Sequence, residues 1–570
     1  MKRMIFTLGC AGNGIRERLS SLILWLTLLC ALLSMALLTG CTYEFVSFGQ
    51  AAETYEDYDD YNFNLTQPIG GAAYFGTSLN LAMRNPQTLN PLINQDRSVD
   101  RMLRLVFEPL VEVRENMRPA PNLASRIIFS DDGMSAHVTL RGDALWSDGI
   151  RVTSSDVQFS VSVINSEIGS KIYQEVIRDI VGIDIIDNDN FRVRFRRPQG
   201  GMSFALAFPV IPRHYFEGHI NFTSPRNMAP VGNGVYKVES VEAVSRVNLV
   251  VNENSMMRNR PYIQRAYVLI TDSTETDFMA FDQGIINALG TEITAFGRFS
   301  GARNVTITNY DTNNLVFLGF NLNRPLMADA GVREVIAHTI DREHVVNNIY
   351  LGVGRPTTSI INPVSHFYRP NLAVPEFDMD RARNMLFQIG ARDHENEGVF
   401  SKEIGGQLAR LEFRLLVNME SPERVAIAHI IRDNLERLGM VIHLDIYDFE
   451  TYRDRLQRGN FDMFLGAYNF AAMPDFMPMF HSNYAGGLSY NYFSFHSEMV
   501  DALLEQAANA RSEEMLWHSM SDLQEAIASE MPIISIKFAQ STLLTDSRIS
   551  GDKRPVMDNI FNNVERWRLN

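Results

Sequence analysis

Leu411, Phe413, Leu415 and Val417 alternate with more polar neighbours up to Asn418, which predicts a half-buried strand. A helix then begins at Ser421 with Pro422 in its first turn. Val425, Ala428, Ile431, Leu435 and Leu438 recur at spacings of three and four until Gly439 stops it. Ile442, Leu444 and Ile446 alternate again, so the three elements make a βαβ unit. A polar helix, Tyr452 to Gln457, leads into another apolar strand, Phe461 to Leu465, and the whole stretch reads as a doubly wound α/β lobe. Upstream, Val332, Val335, Ile336 and Ile340 trace one helix face, Asp341 is placed to cap the next helix, and Val345, Val346 and Ile349 continue to Gly352. Between residues 108 and 229 the pattern changes to short β runs. Ser130-Asp131-Asp132-Gly133 separates Ile127 and Phe129 from Val138 and Leu140 as a hairpin turn, and Thr153 with Asp156 makes a capping box for a helix through Val157 and Val161.

The N-terminus follows a different grammar. Lys2, Arg3, Arg16 and Arg18 precede an apolar run from Leu22 to Leu38, a signal-peptide layout whose run approaches the length of a membrane span. It closes on Leu38-Thr39-Gly40-Cys41, which resembles a bacterial lipobox. Residues 1–40 are therefore read as a lipoprotein signal peptide and Cys41 as the lipidated residue, with an uncleaved anchor as the alternative. Residues 41–70, where Glu53, Glu56, Asp57, Asp59 and Asp60 alternate with Tyr55, Tyr58 and Tyr61, read as a solvated acidic tether. All three cysteines, Cys10, Cys30 and Cys41, fall in this leader, so the body carries neither a disulfide nor thiolate chemistry.

A chain of 570 residues exceeds one ordinary domain, and two or three lobes with separate cores are expected. Its formal charge of −15, without a long Lys/Arg cluster, argues against a nucleic-acid partner.

Several blocks resemble, in order, the extracellular solute-binding proteins of family 5, the oligopeptide and dipeptide receptors of ABC transporters. They are Thr88-Leu89-Asn90-Pro91-Leu92, Phe107-Glu108-Pro109-Leu110-Val111, Pro121-Asn122-Leu123-Ala124 and the Ser130 to Gly133 turn. The most specific is Trp146-Ser147-Asp148-Gly149 followed by Val152-Thr153-Ser154-Ser155-Asp156-Val157. Pro230 to Tyr236, Asn321 to Pro325 with Val332-Arg333 and Ile340-Asp341-Arg342, and the Ala382 to Gly390 helix complete the set. The glycines Gly232 and Gly234 read as backbone turns, since no phosphate-loop spacing surrounds them.

The resemblance implies a class II periplasmic-binding-protein-like fold: two α/β lobes around a ligand cleft, joined by crossover strands, with a β-rich additional domain. Lobe one is expected at 71–107, 229–314 and 530–570, the additional domain at 108–228, and lobe two at 315–529. It further implies a lipid-anchored, monomeric, extracytoplasmic receptor that captures a peptide or peptide-like solute and delivers it to the permease subunits of an ABC importer. An oligosaccharide, nickel chelate or haem receptor, or an extracytoplasmic sensor of the same fold, remains the alternative. No enzyme activity, cofactor or metal is expected: HExxH, G-x-S-x-G and a cysteine nucleophile are missing from the sequence, and His394-Glu395 reads as a surface loop.

Peptide-binding members of that family carry a G-W-x-A-D-Y-P-D-P segment whose first Asp grips the ligand's ammonium group. Here the same place reads Gly466-Ala467-Tyr468-Asn469-Phe470-Ala471-Ala472-Met473-Pro474-Asp475, so Ala471 or Ala472 stands where that carboxylate is expected. The expected cleft residues are Tyr468, Asn469, Phe470 and Asp475 on lobe two, with Gln95, Asp96 and Arg97 facing them from lobe one.

Overall fold

The computed structural model describes residues 77–570, apart from 257–259, 292–296, 298 and 487–488. The leader, Cys41 and the acidic tether lie outside the described residues.

Strand β1 (Ser78–Met83) lies parallel to β10 (Arg265–Ile270), and β9 (Arg246–Val251) and β8 (Tyr236–Glu242) follow antiparallel, in the order β1-β10-β9-β8. Helix α1 (Arg97–Leu103) packs beside this sheet. A short hairpin, β2 (Val111–Val113) with β3 (Pro119–Pro121), leads to an antiparallel sheet. Its order is β4 (Ala124–Phe129), β5 (Ser135–Leu140), β7 (Asn190–Phe195) and β6 (Ile180–Ile185). The predicted turn joins β4 to β5, with Gly133 at φ 69°. The predicted capping box opens α2 (Ser154–Ile164), where the Thr153 backbone donates to Asp156 at 2.8 Å.

The β-rich segment does not form a separate core. Val138, Phe191 and Val193 on the inner face of its sheet join Leu79, Val247 and Ala266 of the first sheet in one continuous apolar cluster. A sheet of four short strands buries one face only when something covers it; α2 packs against β6 with Val157, Val161 and Ile164 in the same cluster, which Leu110, Phe208, Val210 and Ile211 also join.

A seven-stranded sheet runs from the first body into the second, whose core lies on its far part. Its path runs β11 (Ala288–Thr291), β17 (Ile533–Asp546), β12 (Val305–Phe320), β16 (Met463–Asn469), β14 (Glu412–Asn418) and β15 (Val441–Tyr447), with β13 (Arg355–Pro356) on β17. The predicted βαβ unit is β14, α6 (Pro422–Glu436) and β15, paired in parallel. Helices α4 (Ala330–Ala337) and α5 (Arg342–Ile349) follow the predicted faces, and Asp341 caps the second by accepting from the His344 backbone at 2.9 Å. Strand β16 starts later than the apolar run suggests and carries on to Asn469, because it pairs with β12 along Asn314 to Phe320.

Strands β12 and β17 pass from one body to the other. Tyr310 and Leu543 sit in the first core, whereas Leu318, Ile534 and Ile536 sit in the second. Their pairing slips between Asp311 and Leu315, so the chain crosses near Phe538 to Gln540, later than the expected position 530. The break is pinned on one side. Arg355 donates twice to Asp311, at 2.5 and 2.9 Å, and Gln540 donates to the same carboxylate at 3.0 Å.

Several of the motif residues are structural. Gly232 and Gly234 let the chain pass against Val106 and Leu105, since a Cβ would stand 2.2 Å from the Val106 carbonyl oxygen at Gly232 and 2.6 Å from that of Leu105 at Gly234. Trp146 is fully buried. Arg333, 7% exposed, donates to the carbonyls of Met327, Ala328, Glu530 and Met531 and so ties α4 to the end of α7 (Glu513–Glu530).

Candidate ligand cleft

Strand β16 delivers the aromatic part of the expected site. Tyr468 and Phe470 share one face at the strand's end, their rings 4.5 Å apart. Phe470 is 3% exposed and packs on Phe476 at 4.8 Å, so it belongs to the core of the second body. Tyr468 is half-buried, meets Tyr490 edge-on at 5.5 Å, and burial raises its pKa above the usual range. Asn469 is exposed opposite Asn314. The loop then turns through Ala471, whose carbonyl accepts from Asn313 at 2.7 Å, and the buried Ala472.

Asp475 meets a residue that the sequence did not single out. Arg178, from the β-rich segment, donates to it at 2.7 Å, and the Met477 backbone donates to its other oxygen at 3.1 Å. Burial opposes the charge on Arg178, but Glu175 and Asp475 outweigh it and raise the guanidinium pKa.

On the first body, Asp96 is the N-cap of α1 and accepts from the backbones of Ser98 and Val99 at 2.8 and 3.0 Å. Gln95 accepts from the Lys171 backbone at 3.0 Å and donates to the Gly169 carbonyl at 3.2 Å. Arg97 helps hold down the pKa of Asp558, which burial raises. Helix α3 (Lys171–Val176) therefore links the two groups: Gln95 touches its start, and Arg178, just past its end, reaches Asp475. Six residues of helix span about 9 Å.

The bodies are clasped at further points. Arg118, on the β2–β3 hairpin, grips Glu513 with both oxygens at 2.5 and 2.7 Å. Gly200 donates to the Ala510 carbonyl at 2.9 Å, and Met202 enters the second body's core beside Leu516. His366, among Asn116, Arg118 and Glu513, has its pKa pushed down by burial. These partners are hundreds of residues apart in sequence, and no periodicity or motif marks them.

Two cored bodies, joined by a pair of crossover strands, face each other across a polar and aromatic seam, the frame of a two-lobed solute-binding protein. The chain belongs to the bacterial extracellular solute-binding proteins of family 5, whose middle region matches residues 118–491. It is 21% identical over 503 residues to the oligopeptide-binding protein AppA of Bacillus subtilis, covering 85% of this chain and 90% of that one. The structure of B. subtilis AppA in complex with a nonapeptide superposes with a TM-score of 0.60 at 20% identity, covering 87% of this chain and 99% of that one. NikZ of Campylobacter jejuni in complex with Ni(L-His) does so with a TM-score of 0.64 at 24% identity, covering 86% and 99%. Among the described residues no helix is long and apolar enough to cross a membrane.

Proposed function

We propose that this protein captures a peptide or peptide-like solute between its two bodies and hands it to an ABC importer, acting by binding rather than catalysis. The carrying observation is the pair of crossover strands, which break register at Asp311/Leu315 while the bodies on either side keep their own cores. A ligand that touches both bodies only when they are shut shifts the population toward the closed form. The names of relatives such as the oligopeptide-binding AppA support a peptide as that ligand. Gln95, Asp96, Arg97, Tyr468, Asn469 and Asp475 border the seam in this reading, with Phe470 packed behind Tyr468, and a lipid on Cys41 holds the protein at the outer face of the membrane.

The ligand's amine is not its main anchor. Asp475 is engaged by Arg178 and Asp96 by the start of α1, and Ala471 and Ala472 offer no carboxylate. An ammonium left unpaired in a closed cleft costs on the order of 2 to 5 kcal/mol. Amine-blocked, cyclic or long peptides held by their middle are therefore preferred. Small-angle scattering should show a smaller radius of gyration with peptide than without, and calorimetry should find N-acetylated peptides bound more tightly than their free-amine partners. Binding with no change in shape refutes the closing mechanism; at least tenfold tighter binding of the free amines refutes the stated preference.

A further inference from the structure

A hollow of about 250 Å³ lies on the first body beside the crossover. Its walls are the β2–β3 turn (Arg114, Glu115, Met117), the crossover strand from Thr308 to Asp311, and the C-terminal segment from Lys553 to Met557. None of the expected cleft residues lines it. The wall is mixed, its apolar and aromatic share coming from Met117, Tyr310, Pro555, Val556 and Met557 and the larger share from polar and charged groups.

The charges around it are unequal in their compensation. Asp311 is neutralised by two bonds from Arg355 and one from Gln540. Arg114 lies 3.6 Å from Glu112, and Arg554 lies 2.8 Å from Asp552 and 4.0 Å from Glu115. Lys553 differs: its ammonium donates to the Thr545 hydroxyl at 2.9 Å and the Ile549 carbonyl at 2.6 Å, both uncharged. Among the described residues no carboxylate stands within ion-pair distance of it. A half-buried cation held only by neutral acceptors keeps an unmet attraction for an anion, and burial lowers its pKa.

We propose that this hollow is a second binding site, which takes a free carboxylate attached to a small apolar body, the carboxylate on Lys553 and the body against Met117, Tyr310 and Val556. Ligand sites combine apolar walls with a few placed polar groups, and this volume lies below the roughly 300–1,000 Å³ of sites for drug-sized ligands. A single carboxylate with a short branched chain therefore suits it better than a peptide. Arg114 and Arg554 at the rim reinforce the field and offset Glu115. The proposal does not rest on the cleft's being a peptide site, since the two share no residue.

Equilibrium dialysis of the full chain in detergent micelles tests it, with radiolabelled N-acetylleucine as probe and N-acetylleucinamide as the uncharged comparison. The expected result is saturable binding of the acid, at least tenfold weaker binding of the amide, a loss of at least tenfold in Lys553→Met, and retention within about threefold in Lys553→Arg. Circular dichroism of the variants checks folding, and the acid-amide comparison on the unaltered protein needs no variant. Equal binding of acid and amide, no saturable binding, or a folded Lys553→Met that binds like the parent overturns the proposal. Displacement of the acid by a nonapeptide, but not by its C-terminal amide, assigns the hollow to the carboxyl end of the transported chain. Undisturbed binding in the presence of either upholds a separate site for a small acid, whereas displacement by the nonapeptide makes the hollow part of the cleft and overturns the second site.

Discussion

Arg178 and Asp475 stand 297 residues apart in the sequence and 2.7 Å apart in the fold, and their ion pair ties the β-rich segment to the second body. Both side chains keep about a third of their surface in water, at 38% and 31%, so the pair contributes in the range of about 0.2–1 kcal/mol, less at high salt.

Breaking that pair should loosen the closed form without unfolding the protein. Asp475→Asn and Arg178→Met are each expected to enlarge the radius of gyration and weaken ligand binding by up to about fivefold. The double variant should cost no more than either single one. A double-mutant cycle at low and high salt reads this directly, and additive effects would show that the two residues act independently.

Gly200 sits where a side chain cannot. Its φ is 56°, and a Cβ would stand 2.6 Å from Cδ2 of Leu516, a residue only 2% exposed. Gly200→Ala should destabilise the clasp by roughly 1 to 3 kcal/mol, from strain and overpacking together. Adding Leu516→Ala removes the overpacking, so the double variant should recover part of the ligand affinity. Affinity unchanged in Gly200→Ala would mean that this contact plays no part in closure.

Two buried charges set opposite slopes of stability with pH. Burial drives the pKa of Lys537, 2% exposed, down to about 7, with its ammonium over the Tyr350 ring. The unfolded chain then holds more protons than the folded one above that pH, so stability rises from about pH 7 toward the ordinary lysine range. Burial drives Glu108 up to about 7, so the folded chain holds the extra proton and stability falls as pH climbs from the ordinary carboxylate range to about 7. These two groups thus place a local minimum of stability near neutral pH. Lys537→Met should raise Tm at pH 7 and lose its advantage by pH 10; Glu108→Gln should flatten the acid limb. Melting curves from pH 5 to 10 test both, and a Lys537→Met advantage that persists unchanged at pH 10 would refute the assignment.

Cys41 follows Leu38-Thr39-Gly40 at the end of the apolar run. Metabolic labelling with palmitate should mark the protein, and Cys41→Ala should abolish the label. Labelling at unchanged strength in that variant excludes lipidation at this residue.

Where the sequence was legible, it was so for local reasons. Ser421-Pro422 and Gly439 punctuate α6 because a cap and a chain stop depend on neighbours within a turn. Thr153 with Asp156, and the Ser130 to Gly133 turn, were readable on the same ground. The site was less legible. Tyr468 and Asp475 could be picked out by position, but Phe470 turned into the core and Asp96 became a helix cap, because a side chain's direction depends on what packs against it.

The amino-acid order alone determined the α/β class, the order of helices and strands in the second lobe, and the family, since periodicity, caps and motif order are properties of short stretches of chain. Only the tertiary structure decided that the β-rich segment shares a core with the first sheet, that β12 and β17 change bodies near Phe538 to Gln540, and that Arg178 reaches Asp475 and Arg118 reaches Glu513. Each of these is a meeting of surfaces far apart in sequence. Shape, burial and charge across the whole fold select such a meeting, so no local pattern encodes it.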